Sequence, residues 1–441
     1  MDKICVIGLG RIGLPLALLL AKANYRVTGF DINKNLLSTI RKNELDPKTS
    51  GAERRYIEEF YGKNFFVSDN LQDALQTTDA VFLAIGTGVS PDGTPDLSSL
   101  YDLVDEICRD PEKVRGKLYV FKSTLPVGTT RKIASIIEQK TNTKCGKDMF
   151  VAFCPERVLG NKAISEMESL PKIIGGMDKI SSEKAAQIYS KIGGKIIVVE
   201  NPEAAEMIKL IDNSYRQTLF AFSNDVSLIA QHLGLNAYEL IKNANDSYAR
   251  NNIPFPSAGV SGYCLTKDPL YLEHVFKEIS SQRGFSSVWY YARKTNDYMP
   301  LHLVNMIKDT YMNLGKSIKG KNILVCGIAY KENTDDIRYS HGLEIVKQLK
   351  KLGANVFIWD PVVHDRVNAA EVIEDPWNIL DKLDGLVFTV KHEEFVKLME
   401  KEMIIQMAKK MRTPLIIDGW GIFQKLKGNK DLIYTGVGIP K

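Results

Sequence analysis

KICVIGLGRIG, residues 3–13, decides how this chain is read. A short apolar run ends at Gly8, two more glycines follow at Gly10 and Gly13, and LPLALLLAKA continues with a helical period. The order is strand, tight turn and helix. In such a unit the first glycine permits the turn and the second lets the backbone approach a pyrophosphate. The third lets the helix pack closely on the strand, and the helix N-terminus favours the anion. GxGxxG alone is weak, because a glycine turn can simply tighten a βα unit. Asp31 strengthens it by ending the next apolar run, YRVTGFD, 23 residues on from Gly8. Its carboxylate can accept from a ribose diol and repel a 2′-phosphate. The stretch therefore predicts a dinucleotide site that prefers NAD to NADP.

Working outward, the runs AVFLAIGT, KLYVFKST, MFVAFCP and GKIIVVE repeat the strand signal, with TTRKIASIIEQ as another crossover helix. This alternation predicts βαβ units and a mostly parallel sheet. From Glu203 to about Gly234 a helical period runs without Pro or Gly. It predicts one helix near 30 residues, roughly 45 Å long at 1.5 Å per residue, as a spine and a dimer surface. A glycine-bearing loop from Ile253 to Pro269 interrupts the helical segments that follow. From Lys319 a second α/β pattern begins with KNILVCGIAY, continues through GLEIVKQLKKLG and ANVFIWDP, and has later strands in DGLVFTV and PLIIDGW. The expected fold class is α/β, with two Rossmann-like parallel-sheet domains joined by a long central helix and a helical middle domain. The expected boundaries are 1–200, 201–315 and 316–441.

The 441 residues are 44% hydrophobic and 25% charged, which suits two or three soluble domains and excludes a disordered, collagen-like or disulfide-stapled chain. A net charge of +5 without a Lys/Arg block argues against a nucleic-acid partner. Apolar runs are far short of a membrane span. The N-terminus lacks the look of a secretory signal. The six cysteines have no CxxC spacing and the histidines number six, so no metal is expected. A reduced cytoplasmic protein with free thiols is.

Cys264 stands apart from the other cysteines. It lies in GVSGYCLTKD, residues 259–268, after two glycines and before Lys267 and Asp268. Glycines allow close approach to a ligand, a nearby lysine favours a thiolate, and an acid can move protons. Lys209 and Asn213 are four apart on the expected long helix and share a face. They read either as a solvated surface pair or as a cation and an amide aimed at an oxyanion. Ser123, Thr124 and Glu156 follow strands, at ends where open α/β sheets bind ligands, although a loop carboxylate is more often solvated. A dinucleotide with a cysteine suggests two hydride transfers. The first gives an aldehyde, the thiolate adds to form a thiohemiacetal, the second gives a thioester, and water releases an acid.

Taken together, GLGRIGLPLA, KSTLPVGTT, CPERVLG, AAEMIKLIDNSY, SGYCLTKDP and GIAYKENTDDIRYS, in that order over almost the whole chain, resemble the UDP-glucose/GDP-mannose dehydrogenase family. That family oxidises a nucleotide sugar at C6 to its uronic acid. The resemblance implies Cys264 as nucleophile, Lys209 at the oxyanion, Asn213 as its positioning partner and Asp268 in proton transfer with the attacking water. Thr124 and Glu156 would stand around that water and the sugar. Gly8, Gly10, Arg11, Ile12, Gly13, Asp31, Lys34, Thr87, Thr124 and Lys267 would contact NAD. Glu156, Arg157, Lys209, Asn213, Phe255, Gly259, Gly262, Lys331 and Arg338 would meet the UDP-sugar. Arg250 would reach the site of a partner subunit, implying a homodimer through the central helix. Pro155-Glu156-Arg157-Val158 and Ala329-Tyr330-Lys331 resemble the branch acting on UDP-N-acetylhexosamines such as UDP-N-acetylmannosamine. Gly262-Tyr263-Cys264-Leu265 leans towards UDP-glucose enzymes, and Gly160 stands where those often carry a second glutamate. UDP-glucose is the alternative substrate. GDP-mannose, a β-hydroxyacid dehydrogenase with no cysteine step, and a non-catalytic NAD-binding protein are the rivals.

Overall fold

Lys3–Ile7 (β1) is apolar at four of its five positions, and all four are buried. Such continuous apolar runs suit strands covered on both faces. Arg26–Phe30 (β2) and Phe65–Ser68 (β3) are mixed in composition and partly buried, whereas Ala80–Leu83 (β4) is again apolar and buried throughout. Gly88–Val89 (β5) and Pro95–Asp96 (β6) make a small antiparallel pair. Leu118–Phe121 (β7), Phe150–Phe153 (β8), Lys172–Gly176 (β9) and Ile196–Val198 (β10) follow. The computed structural model describes residues 1–45, 51–158, 162–363, 367–400 and 402–440. Leu159 and Gly160 of the CPERVLG motif lie outside the described residues.

Among the described residues the first sheet has the order β10-β9-β8-β7-β4-β1-β2-β3. Six strands run parallel, whereas β9 pairs antiparallel with β8 and carries β10 with it. The alternating pleat sends Ile4, Val6, Phe82 and Val120 to one core and Cys5, Ile7, Val81, Tyr119 and Phe121 to the other. Register pairs Ile7 with Phe30 and Leu83, Leu83 with Phe121, and Phe121 with Phe153. The residues that follow, Gly8, Asp31, Ala84, Lys122 and Cys154, therefore form a row along the carboxyl edge. The strand order reverses between β1 and β4, the switch point at which such sheets bind ligands.

The second sheet is built from Asn322–Cys326 (β11), Asn355–Trp359 (β12), Glu371–Val372 (β13), Gly385–Phe388 (β14), Leu415–Asp418 (β15) and Ile433–Gly436 (β16). Its order is β13-β12-β11-β14-β15-β16, all parallel. Relabelled by position, that is the 3-2-1-4-5-6 order of doubly wound folds. The α/β class and the two Rossmann-like sheets are as the sequence implies.

By packing, the chain gathers into one unit of residues 1–212 with 270–279 and another of 213–269 with 280–441. The helix Pro202–His232 runs through 31 residues. The expected loop to Pro269 is corrected. It ends at Gly262, whose φ of +93° suits glycine, and the helix Tyr263–Arg283 begins there. Cys264, Lys267 and Asp268 thus sit on its first two turns, with Pro269 inside the helix. An interior proline costs about 3 kcal/mol. Burial of Tyr271 and Leu272 beyond it offsets that at about 1.5–3 kcal/mol per side chain. Among the described residues no helix is long and apolar enough to cross a membrane.

Candidate active site

Gly8 holds φ at +88°, and a Cβ there would press on the Ala84 carbonyl. A Cβ on Gly13 would collide with the Gly8 carbonyl, so the helix Gly13–Lys22 can approach β1 only because Gly13 has none. Gly10 differs: a Cβ there would meet nothing within 4 Å. Its space opens where a pyrophosphate would lie, beside a helix N-terminus whose N-cap, Ile12, offers no side-chain acceptor. Asp31 accepts from Leu9 N through Oδ2 and from Asn33 N through Oδ1, both at 2.8 Å. Each oxygen keeps a lone pair for a ribose hydroxyl. These residues fit NAD. Arg11 and Lys34 are exposed, and Lys34 opens the helix Lys34–Lys42, capped by Asn33.

Farther along the carboxyl edge, the Thr87 hydroxyl donates to the Thr124 carbonyl at 2.7 Å, and the Ser123 hydroxyl donates to Ile85 O at 2.7 Å. Glu156 is not solvated. Its Oε2 lies 3.1 Å from Lys122 Nζ, and the two side chains are 10% and 0% exposed. Burial opposes the charge on Glu156, but Lys122 and the Arg157 N–H outweigh it and hold the carboxyl below its ordinary range. The Arg157 side chain pairs with Asp212 at 3.2 Å and donates to Pro171 O. Lys209 is 9% exposed and Asn213 5%, which sets aside the solvated-surface reading of that pair. One turn before Lys209, Glu206 is fully buried. It accepts from Gly128 N at 2.6 Å and from Thr130 N and Oγ1 at 2.8 and 2.6 Å. It thereby caps the helix Thr129–Thr141, whose own N-cap is a glycine. Sequence reasoning missed Lys122 and Glu206. The available signals were a lysine closing an apolar strand and an acid three residues before Lys209.

In the other unit, Asn213 Nδ2 donates to Asp268 Oδ2 at 2.6 Å, and Lys267 Nζ lies 3.5 Å from Asp268 Oδ1. All three side chains are buried. Of the six cysteines only Cys264 is exposed. Burial pushes Cys5 up to about 12 and Cys108 and Cys145 up to about 11, which leaves them inert thiols. The loop before Cys264 is tightly seated. A Cβ on Gly262 would enter the Tyr330 ring, and one on Gly259 would meet His341 and the Asn296 carbonyl. Tyr263 lies under two cations, Lys267 at 5.0 Å and Arg338 at 5.1 Å from its ring centre. Arg338 is also bonded to Asp336 at 2.7 Å. Lys331 lies 5.7 Å from the Tyr330 ring centre. Phe255 is half exposed, packed at 5.5 Å on Tyr238, and Arg250 is exposed. Among the described residues no three metal-ligating side chains gather.

A turn open for a pyrophosphate, with an acid beside it at the switch point, is the binding apparatus of an NAD-dependent dehydrogenase. Residues 2–193 match the NAD binding domain of the UDP-glucose/GDP-mannose dehydrogenase family, 203–298 its central domain and 324–425 its UDP binding domain. The chain belongs to this family, and is an NAD-dependent nucleotide-sugar dehydrogenase. It is 34% identical to the UDP-N-acetyl-D-mannosamine dehydrogenase of Methanococcus vannielii, over 95% of this chain and 92% of that one. The solved structure of the UDP-D-ManNAc dehydrogenase from Pyrococcus horikoshii superposes with a TM-score of 0.87 at 30% identity, covering 99% of both chains. A UDP-glucose dehydrogenase from Pyrobaculum islandicum superposes with a TM-score of 0.84 at 25% identity, covering 100% of this chain and 98% of that one.

Proposed function

We propose that this chain oxidises the C6 hydroxymethyl of a UDP-N-acetylhexosamine, UDP-N-acetylmannosamine first, to a carboxylate through a thioester on Cys264. The observation that carries the mechanism is an exposed cysteine on the first turn of a helix whose next turn presents the buried Asp268–Asn213 pair. A helix N-terminus favours a thiolate there. Gly8, Gly10, Arg11, Ile12, Gly13, Asp31, Lys34, Thr87, Thr124 and Lys267 would hold NAD, which would supply the hydride acceptor for each of the two oxidations. Lys209 steadies the alkoxide and then the thiohemiacetal oxyanion. The Cys264 sulfur bonds the aldehyde carbon and leaves again as thiolate when water attacks the thioester. Asp268, oriented by Asn213, takes the proton of that water. Thr124 and Glu156 flank it. Arg157, Phe255, Gly259 and Gly262 cradle the sugar, and Lys331 and Arg338 meet the nucleotide.

Full-length likeness to enzymes named for UDP-N-acetyl-D-mannosamine supports the N-acetyl sugar. UDP-glucose is the second reading, favoured by the Gly262–Leu265 sequence. An NADH assay across UDP-N-acetylmannosamine, UDP-N-acetylglucosamine, UDP-N-acetylgalactosamine, UDP-glucose and GDP-mannose tests both. Two NADH per acid with UDP-N-acetylmannosamine is expected. One NADH per product, or a clear preference for another sugar, overturns the proposal.

The working division is 1–200 for NAD, 201–315 for the reacting groups and 316–441 for the nucleotide sugar. Met207, Ile211, Tyr215, Phe222 and Ile229 are exposed along the helix Pro202–His232, at spacings of four or seven residues that keep them on one face. This stripe supports a homodimer through that helix, with Arg250 reaching the partner's sugar. A chain that sediments as a monomer at assay concentration sinks that reading. A reduced, reactive thiol suits the reducing cytoplasm.

A further inference from the structure

Lys122 is the first residue beyond β7, and it is completely buried. Its pleat position sends it to the side of Val120 and Cys154, among Ala152 and Tyr189 of the same core. An ammonium has three donors, and here each meets an acceptor: Glu156 Oε2 at 3.1 Å, the Cys154 carbonyl at 3.2 Å and the Tyr189 hydroxyl at 3.0 Å. The ammonium also lies 5.2 Å from the Tyr189 ring centre. Replacing a buried ion pair by apolar side chains is often neutral or stabilising, so stability is a poor reason for a lysine at this depth.

We propose that Lys122 is a positioning residue for the reaction: from beneath the carboxyl edge it clamps the Glu156 carboxylate in one place, with the outer face of that carboxylate left for ligand. The proposal rests on the reading of Glu156 as a group beside the reacting sugar. Glu156 Oε1 is fixed separately by the Arg157 N–H at 2.9 Å. The carboxylate is thus held on two sides, and the side chain remains 10% exposed. The charged and titratable groups facing the pair are Cys154, Tyr189, Lys172 and Arg157. Burial disfavours the Lys122 ammonium, but Glu156 and Cys154 more than compensate, so both partners stay charged. A glutamate held in its ionised form by this pairing can orient water or accept a hydrogen bond from a sugar hydroxyl.

The test is the pH profile of kcat in Lys122→Gln, which keeps a donor for Cys154 O or Tyr189 without the charge. Lys122→Met is the second variant should the first not fold. An opposite charge this close lowers a carboxyl by about one to three pH units. The acid limb of kcat should therefore move up by about that much. Tyr189→Phe, which removes an acceptor and no charge, should leave the limb in place. Infrared difference spectra supply a readout independent of turnover: a protonated-carboxyl band, absent at neutral pH in the wild type, should grow in on mild acidification of Lys122→Gln and vanish in the Lys122→Gln/Glu156→Gln double variant. A folded Lys122 variant with the wild-type limb and no such band overturns the proposal. If Glu156→Gln keeps full turnover while the band still appears in Lys122→Gln, the reading of Glu156 fails and the clamp has no part in the reaction.

Discussion

Gly8 after β1 and Gly327 after β11 both adopt left-handed φ, +88° and +96°. In each half a later glycine, Gly13 or Gly342, packs where a Cβ would strike the carbonyl of the first. In each half the next strand is followed at once by an aspartate, Asp31 or Asp360. The halves then part. Gly13 comes five residues after Gly8, whereas Gly342 comes fifteen after Gly327. The longer connection carries Lys331 and Arg338 in place of a short anion-binding turn. Asp31 spends one lone pair per oxygen and stays half exposed. Asp360 is 8% exposed. It accepts from Ile328 N, Ala329 N, Val362 N and Val363 N at 2.6–3.1 Å and lies 3.4 Å from His392 Nε2. His392 in turn accepts from Asn333 N through Nδ1 at 2.9 Å. Two sheets of like order thus place the same acid differently, one with lone pairs left open and the other tying down a loop. Fold alone does not make a dinucleotide site.

The largest effect should come from a residue that belongs to neither sheet. Cys264→Ser should cut acid formation by about 10³-fold or more, because an alkoxide leaves an ester poorly. NAD binding, a property of the first half, should stay as in the wild type in a fluorescence titration. Wild-type kcat in that variant would count against covalent catalysis.

The two aspartates give the sharpest contrast. Asp360→Ala strands four backbone donors and His392, so unfolding free energy in denaturant titration should fall by about 3 kcal/mol or more. Asp31→Ala should leave stability nearly unchanged but raise the KM for NAD about tenfold to hundredfold, as expected for charge-assisted hydrogen bonds, and relax discrimination against NADP. The comparison breaks if Asp360→Ala folds as well as the wild type.

Acid should separate the halves next. Burial raises the Asp360 carboxyl, but His392 and the backbone N–H groups outweigh it and hold it at about 2. A depressed folded value means stability that is present above the unfolded value, about 3.9, and lost as pH falls through the folded one. Unfolding free energy should therefore drop by on the order of 2 kcal/mol between about pH 4 and pH 2. Asp360→Asn should show a smaller drop over that window, and an identical drop would remove Asp360 from the account. The glycines give effects of similar or smaller size. Gly13→Ala and Gly342→Ala should each cost about 1–3 kcal/mol by thermal melting. Gly10→Ala should leave Tm unchanged and raise the KM for NAD severalfold.

Much of this was legible beforehand because it is local. A strand, a glycine turn and a helix follow one another in residues 3–22, and each signals itself by period or by Gly. The 31-residue helix showed as an unbroken period. The strands FFVS and KIIGG did not show. Gly175 and Gly176 lower β propensity, and pairing with β8 rather than local preference makes that segment a strand. The direction of β9 was hidden for the same reason. The sequence of Pro269 suggested a loop, and burial farther along the helix overrode it. Asp360 resembled nothing more than the end of a strand until four N–H groups were found around it.

Composition, periodicity and ordered motifs determined the class of fold, the NAD turn and the cysteine, since each depends on neighbours within a few residues or on the order of segments. Only the tertiary structure decided which charges are buried and paired. Lys122 with Glu156, Glu206 with Gly128 and Thr130, and Asp360 with Ile328 lie 34, 76–78 and 32 residues apart in sequence. The electrostatic state of such groups is set by who sits within 3–4 Å after folding and by the water excluded there. No local pattern encodes that.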